Sequence, residues 1–130
     1  MSVNAKILSR AWSLLGKFGE RARRIMKDPK KIEGILDQAR RKAGDTASIE
    51  AWFEYLHLMF RLVAAYIKGE YRNIPYDTVA LIVAAILYFL FPLDVLPDPI
   101  YVDDAAVLIF VAAKVKNDLE AFAAWEKVNA

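Results

Sequence analysis

Apolar side chains recur at helical spacing along most of the chain, and no stretch alternates in the way a half-buried strand requires. In residues 4–27, Leu8, Ala11, Leu15, Phe18, Ala22 and Ile25 step by three and four, which is one face of an α-helix. Trp12 and Leu14 widen that stripe. Lys6, Arg10, Lys17, Arg21, Arg23, Arg24 and Lys27 occupy the other faces. Asp28-Pro29 predicts a break and a restart, with Asp as the N-cap and Pro at the first helical position. A second helix follows on Ile32, Ile35, Leu36, Ala39 and Ala43, and Gly44 ends it. A third, from about residue 45 or 48 to 68, confines Glu50, Glu54, His57, Arg61 and Lys68 to one narrow polar stripe. Gly69 stops it. Pro75 opens a fourth helix over about residues 76–91, made of Val, Ala, Leu and Ile with Tyr88 and Phe89. Pro92, Pro97 and Pro99 exclude a regular helix through the next stretch. A fifth helix is predicted over about residues 104–126, with Val107, Leu108, Val111, Val115, Leu119 and Phe122 on one side. The expected architecture is one all-α domain over residues 1–130, of about five helices. It has a basic amphipathic N-terminal helix and an apolar helical hairpin around a Pro/Asp turn.

Composition narrows the chemistry. The chain has 130 residues, 57% of them apolar, with no Cys and one His. That excludes a disulfide scaffold, a cysteine nucleophile, a thiolate zinc site and any site needing two imidazoles from one chain. Charge is split. Residues 1–42 carry twelve Lys/Arg against four Asp/Glu, net +8, and residues 43–130 carry six against twelve, net −6. Residues 78–113 hold no Lys or Arg, and their only charges are Asp94, Asp98, Asp103 and Asp104. A basic arm of this kind (1–44) attracts phosphates or pairs with the acidic remainder of the chain. Its cations are spread round helical faces among bulky apolar residues, without a nucleic-acid motif, so a membrane surface is the favoured partner over nucleic acid. Lys6, Arg10, Lys17, Arg21 and Arg24 are the expected contacts. No compact apolar run follows the first charges, so no secretory signal is expected.

The longest charge-free run, residues 78–93, has 16 residues. As a helix it reaches about 24 Å, short of the ~30 Å hydrocarbon core of a bilayer. Periodicity alone leaves two readings open: the buried central helix of a bundle, or a short interfacial hairpin beneath a basic amphipathic helix. If the chain spans a bilayer, the arm stays on the cytoplasmic side.

One stretch is motif-like: Leu87-Tyr88-Phe89-Leu90-Phe91-Pro92-Leu93-Asp94-Val95-Leu96-Pro97-Asp98, then Asp103-Asp104. Tyr88, Pro92, Asp94, Pro97, Asp98, Asp103 and Asp104 resemble the signature of the YkvA-like family, bacterial proteins of unknown function. Tyr71-Arg72 with Pro75 resembles that family's lead-in, and Trp125 its closing aromatic residue. The resemblance covers roughly residues 71–125. The connection between the two acidic elements, Pro99-Ile100-Tyr101-Val102, is shorter than in relatives. The resemblance implies a small helical, often membrane-associated protein at the inner membrane or its cytoplasmic face. It supplies no reaction.

The four aspartates need partners if removed from water. A structural reading uses Asp98, Asp103 or Asp104 as caps of the last helix and pairs Asp94 with Arg72 or an arginine of the arm. A functional reading makes them a hard-cation site for Ca²⁺ or Mg²⁺, although no EF-hand spacing is present. Glu54-x-x-His57 matches half of a di-iron carboxylate pattern, but one His cannot supply the pair within one chain. The stripe reading places His57 beside Glu54 and Arg61 on an exposed face. The sequence therefore predicts a non-enzymatic, membrane-associated helical protein without a cofactor. The alternatives are a helical assembly module, with a protein partner or a second copy, and a carboxylate cation-binding protein.

Overall fold

The computed structural model describes residues 16, 18–45, 52–91 and 104–129, and of residues 104–106 the backbone alone. All regular structure among them is helical. A first helix, α1, covers residues 18–26. It is followed by α2 (Pro29–Asp45), α3 (Phe53–Ile67), α4 (Tyr76–Leu90), α5 (Asp104–Lys114) and α6 (Lys116–Asn129).

The α1–α2 corner forms where Asp28-Pro29 demands it. The Lys27 and Asp28 amides donate back to the Arg24 and Ile25 carbonyls, closing α1. The Asp28 carboxylate then accepts the Lys31 amide at 3.3 Å, and its carbonyl accepts the Ile32 amide at 3.1 Å. That caps α2 as expected.

The end of α3 is equally local in origin. Gly69 has φ +79°, a conformation that costs a side chain but not glycine. It lets the Glu70 amide reach the Ala65 carbonyl at 2.9 Å and its own amide reach the Tyr66 carbonyl at 3.1 Å. This is a Schellman closure, and it turns the chain toward α4. Tyr71 and Ile74 in the connection are both buried, so the turn is anchored in the core.

At the centre lies α4. It is apolar all round, and Val79, Ala80 and Ile82 through Phe89 are buried. It packs on α2, α3 and α5. A helix without a polar face is stable in water only when other elements cover it on every side, and here the chain's own helices do so. Its 15 residues span about 22 Å. No described helix is long and apolar enough to cross a membrane.

Two expectations are corrected. The predicted fifth helix is two, α5 and α6, meeting at Val115. The Val115 amide still donates to Val111 and the Val115 carbonyl still accepts from Leu119, each at 3.0 Å. The interruption leaves the stripe of Val111, Val115, Leu119 and Phe122 buried on one side. Such a bend has no signature in the hydrophobic pattern. The third helix begins at Phe53, not near residue 45 or 48, because Trp52 before it has φ −107° and ψ 6°, outside α-helical geometry. In the described part of the first helix the apolar residues face inward. Phe18, Ala22 and Met26 belong to the core, and the Phe18 ring meets Tyr88 edge-on at 6.2 Å. Trp12 lies outside the described residues.

Candidate functional site

A cleft opens at the corner between α1 and α2. On α1 and its turn, Arg21, Arg24, Ile25 and Asp28 follow the spacing i, i+3, i+4, i+7. On α2, Lys31, Gly34, Ile35 and Gln38 repeat the same spacing. Each set occupies one helical face. With Lys30, the two faces line a cleft of about 620 Å³ whose remaining wall is Leu87 and Phe91 at the end of α4. Four cations thus share a cleft with one carboxylate. That carboxylate, Asp28, is engaged in capping α2. Ile25, Ile35 and Phe91 supply an apolar floor, with Leu87 buried behind it.

Neighbouring contacts hold this corner in place. The Arg21 guanidinium lies 5.9 Å from the centre of the Phe18 ring and 5.7 Å from that of Phe91. Cation–π attraction of this kind is worth ~0.5–1 kcal/mol at exposed sites. Arg23 bonds Asp77 at 3.1 Å and ties α1 to the start of α4. Farther along α2, the Lys42 ammonium donates to the Phe89 carbonyl and lies over the Phe89 ring. A cation there complements the negative end of the α4 dipole.

Of the residues singled out in the sequence, Arg21 and Arg24 come together in the cleft. Lys6, Arg10 and Lys17 lie outside the described residues, as do Pro92, Asp94, Pro97, Asp98 and Asp103. Asp104 is the first residue of α5. Pro75 sits at the N-cap position of α4, and its carbonyl accepts the Thr78 and Val79 amides. Tyr88 is fully buried against Phe18. Arg72 rests over the Tyr66 ring at 4.4 Å. The lead-in and the closing aromatic meet: Tyr71 stands 5.0 Å from Phe122 and 5.2 Å from Trp125. Burial and the nearby Asp118 carboxylate push the Tyr71 phenol above its ordinary range. These motif positions thus serve packing. No group of three or more acidic or His side chains that could hold a metal occurs among the described residues.

His57 departs from the exposed stripe expected for it. It is half-buried, with its ring 4.1 Å from Phe53 and 5.6 Å from Phe60. Its Nε2 is buried without a hydrogen-bond partner among the described residues. Burial first, and the Arg40 and Arg61 charges next, lower its pKa. Arg61 instead reaches across to α6, where it makes two bonds to Glu126 at 2.9 and 3.2 Å.

Lys30, Lys31 and the α4 wall are the part of the cleft that sequence reasoning missed. The repeated i, i+3, i+4, i+7 pattern on either side of Asp28-Pro29 is the signal that marks the polar half. Nothing local marks Leu87 and Phe91 as its remaining wall.

Over 76 residues the chain is 33% identical to the uncharacterized membrane protein YkvA of Bacillus subtilis (strain 168), an overlap of 55% of this chain and 72% of that protein. No family model and no solved structure matches the chain.

Proposed function

This chain belongs to the YkvA-like family, and from that premise we propose that it is a non-enzymatic helical protein that associates peripherally with anionic membranes through its α1–α2 corner. The observation that carries the reading is the convergence of Arg21, Arg24, Lys30 and Lys31 on one cleft. Near an anionic bilayer each such cation contributes about 1 kcal/mol. The side chains of Arg24, Lys30 and Lys31 have no carboxylate partner among the described residues, so membrane binding costs them no ion pair there. The name of the Bacillus relative agrees with a membrane setting. Burial of α4 by other helices favours a surface mode over insertion. An assembly module has less support. The large apolar side chains exposed among the described residues, Phe53, Tyr76 and Val128, sit on three different helices.

Co-sedimentation with vesicles tests the proposal. Binding to vesicles containing phosphatidylglycerol, absent with pure phosphatidylcholine and released at ~0.5 M salt where screening is short-ranged, is the expected result. Equal binding to both vesicles, or none to either, overturns it.

A further inference from the structure

We propose that the α1–α2 cleft holds one anionic phospholipid, its phosphate among the cations and its glycerol and first methylenes on the apolar floor. The inference rests on the membrane reading above and goes beyond a diffuse patch of charge. Three features separate a site from a patch.

The first is shape. About 620 Å³ falls within the ~300–1,000 Å³ typical of small-molecule sites. The second is pre-organisation. Arg21 is braced between the Phe18 and Phe91 rings, so part of the cation set is fixed before a ligand arrives. The third is chemistry. Inorganic phosphate has no use for Ile25, Ile35 and Phe91, whereas a lipid gains ~0.8 kcal/mol for each methylene it buries there. Charge complementarity selects an anionic headgroup, and the floor selects an amphiphile.

Gly34 makes the proposal testable without altering charge. It lines the cleft, and a Cβ built on it meets nothing within 4 Å. A large side chain there fills the cleft, and leaving glycine favours the helix. Dihexanoyl phosphatidylglycerol, kept below its micelle concentration, is titrated into the full chain and followed by calorimetry. It is expected to bind about tenfold or more tightly than inorganic phosphate, as two buried methylenes would give. Dihexanoyl phosphatidylcholine is expected to bind far more weakly. Gly34→Phe is expected to weaken the lipid about tenfold. Gln38→Phe, on the same wall, repeats the test should the first variant fold poorly, with circular dichroism as the check on both.

If inorganic phosphate or the choline lipid binds as tightly as phosphatidylglycerol, or if a folded Gly34→Phe binds the lipid unchanged, the site is overturned while the membrane reading stands. If the unaltered chain ignores anionic vesicles altogether, the membrane reading itself has failed.

Discussion

α4 and the α1–α2 corner meet at Leu87 and Phe91, yet they differ in nearly every physical respect. After Asp77, α4 carries no charge, and its residues from Ile82 to Phe89 are all buried. The corner gathers four cations around an open cleft. Read by hydropathy alone, α4 is the segment that seeks a membrane, and the corner is the segment that avoids one. The packing reverses this. The apolar surface of α4 is consumed by α2, α3 and α5, so in the proposed membrane reading it is the charges of the corner that supply the affinity. Apolarity along a chain measures how much surface must be covered, not what covers it.

The largest test of the contrast lies in α4. Ile82 is fully buried, and Ile82→Ala should cost about 2–5 kcal/mol through lost burial and the cavity left behind. Urea denaturation in detergent-free buffer measures it. An unchanged midpoint would mean that the protein core is not what covers α4.

The next effect belongs to the corner. Replacing Arg24, Lys30 and Lys31 together with Gln should weaken binding to anionic vesicles by about 100-fold, from ~1 kcal/mol per cation. These side chains are exposed, so the melting temperature should move little. Vesicle titration and a thermal melt, run side by side, separate the two quantities. A large loss of stability with unchanged vesicle affinity would make the corner structural and erase the contrast.

The same contrast explains what was legible in the sequence. Asp28-Pro29, Gly69 and Pro75 act through their own backbone chemistry, so they marked the corner, the end of α3 and the start of α4 correctly. The α2 stripe of Ile32, Leu36, Ala39 and Ala43 is buried as its spacing requires. Phe18 was harder to read. An amphipathic stripe looks the same whether its apolar face meets lipid or Tyr88, because the partner lies seventy positions along the chain. The cleft was half legible for the same reason: its cations are local and its floor is not. The aspartates of the Pro/Asp stretch fall largely outside the described residues, so their expected roles as caps, ion pairs or cation ligands stand as before.

A smaller effect marks the edge of the sealed region, where α3 meets α6. Arg61 and Glu126 make two bonds while remaining 48% and 29% exposed. Glu126→Gln should therefore cost only about 0.2–1 kcal/mol. The difference from the unaltered protein should shrink as salt is raised, because exposed charges are screened. Urea midpoints at low and high salt measure it. A cost that ignores salt would show that packing, not charge, holds that edge.

The smallest expected effect is a dependence on mild acid, carried by His57. Its ring lies between Phe53 and Phe60. The charged groups acting on it are Arg40 from α2 and Arg61 and Glu54 from α3, and burial together with the two arginines outweighs the glutamate. Its folded pKa thus lies below the ordinary value of about 6.5. Between those two values the unfolded chain binds the proton more readily than the folded one, so stability increases with pH across that window. The contribution is complete above about pH 6.5 and is lost as pH falls through the folded pKa. His57→Leu removes the titrating group and keeps an apolar filling between the rings. Urea midpoints followed from pH 7 to pH 5 should therefore fall less in the variant than in the unaltered protein. If the two curves run parallel, the acid sensitivity belongs to other groups. The boundary of the sealed region would then lie inside His57 and not at it.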